Sequence, residues 1–330
     1  MNDLITKLTQ IPSPSGNEEK LQKIISDEIC PYVDSIYKDT LGNLIAVKKG
    51  NYKKIMFCAH SDEIGIIVTN IDDNGFLRIA PIGGVNIHTA IHQRVAFLNG
   101  TKGVISYDES VEKVEKLKFS NLYVDIGSSS KEETENLINI GDVAVFCGET
   151  IISKDYITSK ALDNRIGVFV LINVIKSIIN TENTLYFVFS TQEELGLRGA
   201  KTAAFGINPD IAIAVDVTDT GDTPNCKDFA VKTGRGPAIK IKDNSIICSK
   251  KICDYLKNIA KESNIPYQLE ILQAGGTDAG SIHITREGVH TGAVSIPCRY
   301  IHTPGEMVNI SDVNNAINLI KRSIENDFNI

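Results

Sequence analysis

Tryptophan is absent from this 330-residue chain, and the other aromatics, 11 Phe and 10 Tyr, are sparse. Stacking platforms for nucleobases or sugar rings are therefore not evident. Positive charge is also short: 34 Lys and Arg face 41 Asp and Glu, a net charge of −7, with no basic cluster. That balance argues against nucleic acid as a partner. No segment approaches the ~20 consecutive apolar residues that a membrane span needs. The opening stretch MNDLITKLTQIPSPSGNEEK has acidic and polar residues early. It reads as a short amphipathic turn, a Pro/Ser/Gly break and then a helix, and as neither a secretion signal nor an anchor. Cysteine pairs are missing too. Seven cysteines (30, 58, 147, 226, 248, 253 and 298) are scattered and never spaced C-x-x-C. This excludes a zinc ribbon and points to reduced thiols used as small apolar residues, the pattern of a cytoplasmic protein.

What is present is ordinary for a globular chain, 42% apolar and 23% charged. Its length suits two domains, or one domain carrying an insertion. Four segments share one pattern, an apolar run followed by a polar cluster: KKIMFCAHSDE (53–63), NTLYFVFSTQEE (183–194), PDIAIAVDVTDTGD (209–222) and VHTGAVSIPCRYIHTPGE (289–306). Such runs fit strands buried on both faces. Helical spacing occupies 162–179, 249–264 and 309–327, and the alternation predicts an α/β sandwich. Residues 64–156 differ, with short strands divided by Asn-Gly, Gly-Gly and Gly-Asp; they read as an all-β, barrel-like insert.

One of those runs raises a question. In LYFVFSTQEELGLRGA (185–200) the apolar residues stop at Ser190, and Glu193 and Glu194 follow side by side. Like charges repel, and a helix start is the simplest account of them. In open α/β sheets, however, ligands sit beyond the carboxyl ends of the strands. If the four runs are sheet strands, their exits bring together His60, Asp62, Glu193, Glu194, Asp216 and His302, with Asp163 of SKALDNR facing the same edge. So many anionic groups would repel unless cations lay between them. Two divalent ions balance three ligand carboxylates plus a bridging hydroxide, and the oxygen and nitrogen donors suit zinc, cobalt or manganese. Ions ~3.5–4 Å apart can clamp a water and polarise a carbonyl together. Each residue alone has a plainer account: His60 as a hydrogen-bonded structural residue, Asp163 as an N-cap, Asp216 as a turn former. The Gly-rich AGGTDAGSIHITREG (274–288) lacks the spacing of a P-loop or dinucleotide motif. The plain accounts would have to hold independently at four strand exits.

Seven collinear strings, AHSDEIG, KALDNRIG, STQEELGLRGA, AVDVTDTGD, GRGPAI, GGTDAGSIHITREGV and SIPCRYIHTPGE, resemble those of the dinuclear metallo-aminopeptidases. The group is that of the tetrahedral (dodecameric), glutamyl and deblocking aminopeptidases, and the resemblance runs from about Leu4 to about Ile320. It implies that His60, Asp163 and Asp216 hold one ion, that Asp163 bridges to a second, and that Glu194 and His302 complete that second site. It implies Glu193 as the general base acting on the bridging water, and Asp62 as the carboxylate that orients His60. The two adjacent glutamates then separate by role, since neighbouring side chains leaving a strand point in different directions. Main-chain N–H groups of the 275–280 loop are candidates for stabilising an oxyanion.

The implied fold agrees with the reading from the residues. It is a three-layer α/β/α sandwich with a mixed, largely parallel central sheet, formed by residues 1–63 and 157–330. A small all-β domain, 64–156, interrupts it and serves dimerisation. The expected activity is hydrolysis of N-terminal residues from short peptides, with two divalent ions per subunit, Zn²⁺ or Co²⁺ first and Mn²⁺ next. The expected assembly is a homo-oligomer, a dodecamer built of dimers, with neither nucleic acid nor membrane as partner. Where relatives commonly show Pro-Gly before QRV, this chain has AIHQRV, which places His92 in the insert. His88, His92, His283 and His290 read as structural. Cys58 alternates with His60 along the strand, close enough to make activity sensitive to thiol reagents, and Asp278 either touches substrate or shapes its loop. The competing functions are a metal-dependent amidohydrolase of N-acyl amino acids, a glucanase using two carboxylates, and a binding module with a vestigial site.

Overall fold

The computed structural model describes residues 2–226, 229–326 and 328. All four apolar runs are strands, Lys54–His60, Thr184–Ser190, Ile211–Thr218 and His290–Arg299, and they lie parallel at the centre of one sheet. Ser190 registers with His60 and Ala214 with Cys58, so the strands leave the sheet along a common edge. Antiparallel strands extend the sheet on both sides: Leu44–Lys48 and Ser35–Lys38 beyond Thr184–Ser190, and Glu306–Asn309 and Tyr156–Ser159 beyond His290–Arg299.

Burial explains why the runs carry no polar alternation. Ile55, Phe57 and Ala59 face one apolar layer with Phe187 and Phe189, while Met56 and Cys58 face the other with Val188. The helices Leu162–Ser177 and Ile310–Glu325 contribute to the first layer, and Arg198–Ile207 contributes Ala200, Ala203 and Ala204 to the second. The sandwich is therefore three-layered, as expected. Lys250–Glu262 and Ile310–Glu325 fall within the expected helical stretches; Asp327, the end of the second stretch, lies outside the described residues. No helix among the described residues is long and apolar enough to cross a membrane.

The first expected turn is instead a full helix, Asn2–Gln10. Its buried Ile5 and Leu8 dock against the core, and the fully buried Arg165 donates to the Leu8 and Ile11 carbonyls at 2.7 and 3.1 Å. Tertiary packing stabilises a segment whose short length alone would leave it marginal.

Six antiparallel strands between Gly65 and Phe146 close into a barrel around Ile66, Leu77, Val95, Ile105 and Val124. Closure leaves no open strand edges. Ile151–Ile152, within the stretch read as insert, pairs instead with Tyr156–Ser159 in the main sheet.

Candidate metal centre

The common strand edge gathers the residues that sequence spacing singles out. His60 ends its strand, Asp216 lies in Ile211–Thr218, and Glu193 and Glu194 follow Thr184–Ser190 in a tight turn. Asp163 lies at the start of Leu162–Ser177 in non-helical backbone, joined to Asn164 by a cis peptide. His302 occupies the turn between His290–Arg299 and Glu306–Asn309. Left-handed non-glycine residues mark these turns: Ala161, Gln192 and His302 have φ of 54°, 52° and 62°.

Asp163 stands between two imidazoles. Its Oδ1 is 3.0 Å from His60 Nε2 and its Oδ2 is 3.3 Å from His302 Nε2. Asp216 and Glu193 approach His60 Nε2 at 3.7 and 4.0 Å, and Glu194 Oε1 lies 3.2 Å from His302 Nε2. Potential ligand atoms of His60, Glu193 and Asp216, and those of His60, Asp163 and Glu194, fall within 4.8 Å of one another. A cleft of about 500 Å³ opens over the cluster, its other walls including Leu197, Leu272, Ile301, Asp219 and Lys240. The Lys240 ammonium is committed to the buried Glu270 and lies 3.3 Å from Asp243. A groove of about 670 Å³ at the opposite strand ends, around Asp210 and Arg286, holds no such convergence.

Asp62 is completely buried, and its contacts reach beyond His60, which it was expected to orient. Its carboxylate accepts from the Glu193 and Glu194 backbone N–H groups at 3.0 and 3.2 Å and from Ser15 Oγ at 2.6 Å. His60 Nδ1 lies 3.2 Å from the Asp62 carbonyl oxygen and 3.4 Å from its carboxylate.

The electrostatics show a cluster short of positive charge. Burial opposes protonation of His60, yet Glu193 and then Asp163 and Asp62 raise it well above the ordinary imidazole value. His302 is pushed up to about 12 against its own burial, by Asp163 and Glu194. Burial drives Asp216 up to about 7 and raises Glu193 and Glu194 as well. Glu194 Oε1 is buried, and its 3.2 Å approach to His302 Nε2 lacks hydrogen-bond geometry. Carboxylates and imidazoles so arranged fit divalent cations, whose charge would stand where the imidazoles otherwise draw protons.

Three contributors escaped the sequence reading. The carbonyl of Gly84, from the β insert of the same chain, lies 3.1 Å from His302 Nδ1 and turns Nε2 toward Asp163 and Glu194. A Cβ at Gly84 would lie 2.6 Å from that nitrogen, and one at the left-handed Gly83 would meet Glu194 at 3.0 Å. The Gly-Gly pair, read only as punctuation, permits this approach. Ser15 and Glu306 are the others; Glu306 stands in SIPCRYIHTPGE without any sequence cue to a role.

Asp278 does not line the cleft. It is buried beneath the cluster, where its carboxylate accepts from Ser190 Oγ and from Cys58 Sγ. Cys58 is fully buried, and burial with the nearby Asp278 raises its thiol well above the usual range, so the expected thiol sensitivity has no accessible thiolate behind it. His88 and His92 are exposed in the insert, while His283 Nδ1 and His290 Nδ1 lie near Ala279 O and Ser249 Oγ.

Comparison with known proteins supplies the family. The sequence profile of the M42 glutamyl aminopeptidase family matches residues 42–319, and the chain belongs to that family. It is a hydrolase of the aminopeptidase class, dependent on divalent metal ions. A protein of Acetivibrio thermocellus named "Putative aminopeptidase" is 55% identical over 98% of each chain. The lysyl aminopeptidase of Pyrococcus furiosus is 36% identical over 98% of this chain and 96% of its own. The structure of the Pyrococcus horikoshii TET1 peptidase, described as assembling into a tetrahedron or a large octahedral shell, is 33% identical and superposes with a TM-score of 0.89 over 98% of both chains.

Proposed function

We propose that two divalent ions serve this aminopeptidase, one held by His60, Asp163 and Asp216, the other by Asp163, Glu194 and His302. The observation that carries this is the position of Asp163, whose two oxygens face two different imidazoles at 3.0 and 3.3 Å. Bound there, zinc, cobalt or manganese would lower the pKa of water and polarise the scissile carbonyl.

The residues of the chain do the rest. Glu193 borders the cleft outside both ligand sets, free to take the proton of the attacking water and deliver it to the departing amine. Asp62 fixes the backbone of Glu193 and Glu194, so the base and its neighbouring ligand keep their separate directions. Gly275 and Gly276 border the same cleft, where main-chain N–H groups of their loop would face a developing oxyanion. Residues 1–63 and 157–330, with the strand Ile151–Ile152, form the catalytic domain in this reading, and the barrel between Gly65 and Phe146 the part that joins subunits. Assembly as a cytoplasmic dodecamer built of six dimers would limit substrates to short, unfolded peptides.

A panel of aminoacyl-anilides, N-acyl amino acids and glucan oligomers, assayed with and without chelator, tests the activity. Cleavage of free-amine substrates that stops with chelator and returns with Co²⁺, Zn²⁺ or Mn²⁺ is expected. Preference for N-acyl amino acids would assign a deacylase, and chelator-resistant glucan cleavage would remove the peptidase reading. Light scattering after size exclusion tests the dodecamer.

A further inference from the structure

Glu306 has no part in the chemistry above, yet it touches the backbone of two proposed ligands. Its carboxylate is buried and accepts at both oxygens: Oε2 takes the N–H of Asp163 at 2.9 Å and Oε1 takes that of His302 at 2.8 Å. Asp163 and His302 come from distant parts of the chain, and their side chains meet at 3.3 Å. Neither turn is relaxed. His302 has φ of 62°, and Ala161, two residues before Asp163, has 54°. A left-handed non-glycine residue is disfavoured by its Cβ and persists only where its surroundings over-determine it. Two backbone hydrogen bonds to one buried side chain provide such a constraint.

We propose that Glu306 is a positioning residue for the second ion site. It sets the spacing between Asp163 and His302 from the backbone side, as Asp62 does for Glu193 and Glu194. Both of its oxygens are occupied by main-chain donors, so it acts through the ligands and is not one of them. Gly84 secures the other end of His302 through its ring nitrogen. Together the two contacts hold the imidazole at both its backbone and its ring. The proposal rests on the two-ion reading and goes one step beyond it.

Glu306→Gln isolates the effect. The amide keeps the shape but offers a single acceptor oxygen, and it turns an NH₂ group toward the other backbone donor. Glu306→Asp keeps two acceptors on a shorter arm. Metal-depleted wild type and both variants are titrated with Co²⁺ by calorimetry, with circular dichroism and thermal unfolding recorded on the same samples. The wild type is expected to take two ions per subunit. Glu306→Gln should bind an ion at the site of Asp163, Glu194 and His302 about 10–100-fold more weakly, the usual cost of losing support behind a ligand, and at the site that shares only Asp163 less so, with Glu306→Asp in between. A folded Glu306→Gln protein that binds both ions at wild-type affinity overturns the assignment.

If Glu306→Gln does not fold, amide exchange in the metal-depleted wild type decides. Slow exchange at Asp163 and His302 relative to their neighbours upholds the clamp, and fast exchange removes it. Failure of the wild type to take two ions would overturn the two-ion reading instead, and the clamp with it.

Discussion

Asp62 grips Glu193 by its main chain: the carboxylate takes the Glu193 N–H at 3.0 Å and, through its other oxygen, the Glu194 N–H at 3.2 Å. Two glutamates that repel through their side chains are thus tied through their backbones to one buried anion. Asp62→Asn leaves one acceptor for those two donors. Turnover is expected to fall about 10–100-fold together with metal affinity. Steady-state kinetics and metal titration at wild-type far-UV dichroism check it, and unchanged values for both would rule out the grip.

Glu193→Gln removes the base without touching a proposed ligand. Metal content should stay at the wild-type level while kcat drops about 10²–10⁴-fold. Asp163→Asn should do the reverse and lose metal, because it would supply both sites. Elemental analysis beside the kinetics separates the two, and a Glu193→Gln enzyme of near-normal rate would remove Glu193 from its role.

Metal removal should destabilise as well as inactivate. A ligand at about 100 times its dissociation constant adds about 2.7 kcal/mol per site to the folded state. Here it also relieves the crowding of Asp163, Asp216, Glu193 and Glu194. Thermal unfolding should therefore shift upward on adding Co²⁺, Zn²⁺ or Mn²⁺ after dialysis against chelator. A Tm indifferent to all three ions would contradict the site.

Thiol reagents should label the native protein first at Cys30, the exposed cysteine, and leave Cys58 untouched. Activity should survive labelling. Mass mapping of the modified peptides provides the check, and inactivation that tracks Cys58 modification would show that the strand opens in solution.

Stability should carry a pH signature from Asp222. Partial burial works against its charge, but Arg299, at 2.7 and 3.0 Å, and Thr233 outweigh it and hold the carboxyl well below the usual range. A depressed carboxyl pKa stabilises the fold above the unfolded value, about 3.9, and that contribution fades as pH falls toward the folded value. Asp222→Asn should cost roughly 1.5–3 kcal/mol at pH 7, with the gap closing below about pH 4. Denaturant unfolding of both proteins at several pH values measures it; a gap that stays constant into acid would be inconsistent with the pairing.

The four parallel strands were legible because each is buried on both faces, so Ile55 and Met56 alike must be apolar although they pack against opposite layers. The acidic and imidazole groups at their exits were legible for the complementary reason, that charge at a buried edge needs an explanation. Glu306, Ser15 and Gly84 were not. Glu306 acts on main-chain N–H groups, Ser15 on the Asp62 carboxylate and Gly84 through a carbonyl, and no local pattern records a partner brought near only by folding. The helix Asn2–Gln10 was underread because its stability comes from the buried Arg165 far along the chain.

Residue order by itself determined the sandwich with its β insert and the types of donor carried to one sheet edge, since periodicity and apolar runs are local consequences of which faces are buried. The tertiary structure alone decided which oxygen faces which imidazole. It also decided that Asp278 lies beneath the cleft and that Gly84 reaches into it. Those relations depend on strand register and on left-handed turns such as that at His302, where distances of 3 Å arise between groups that no sequence spacing connects.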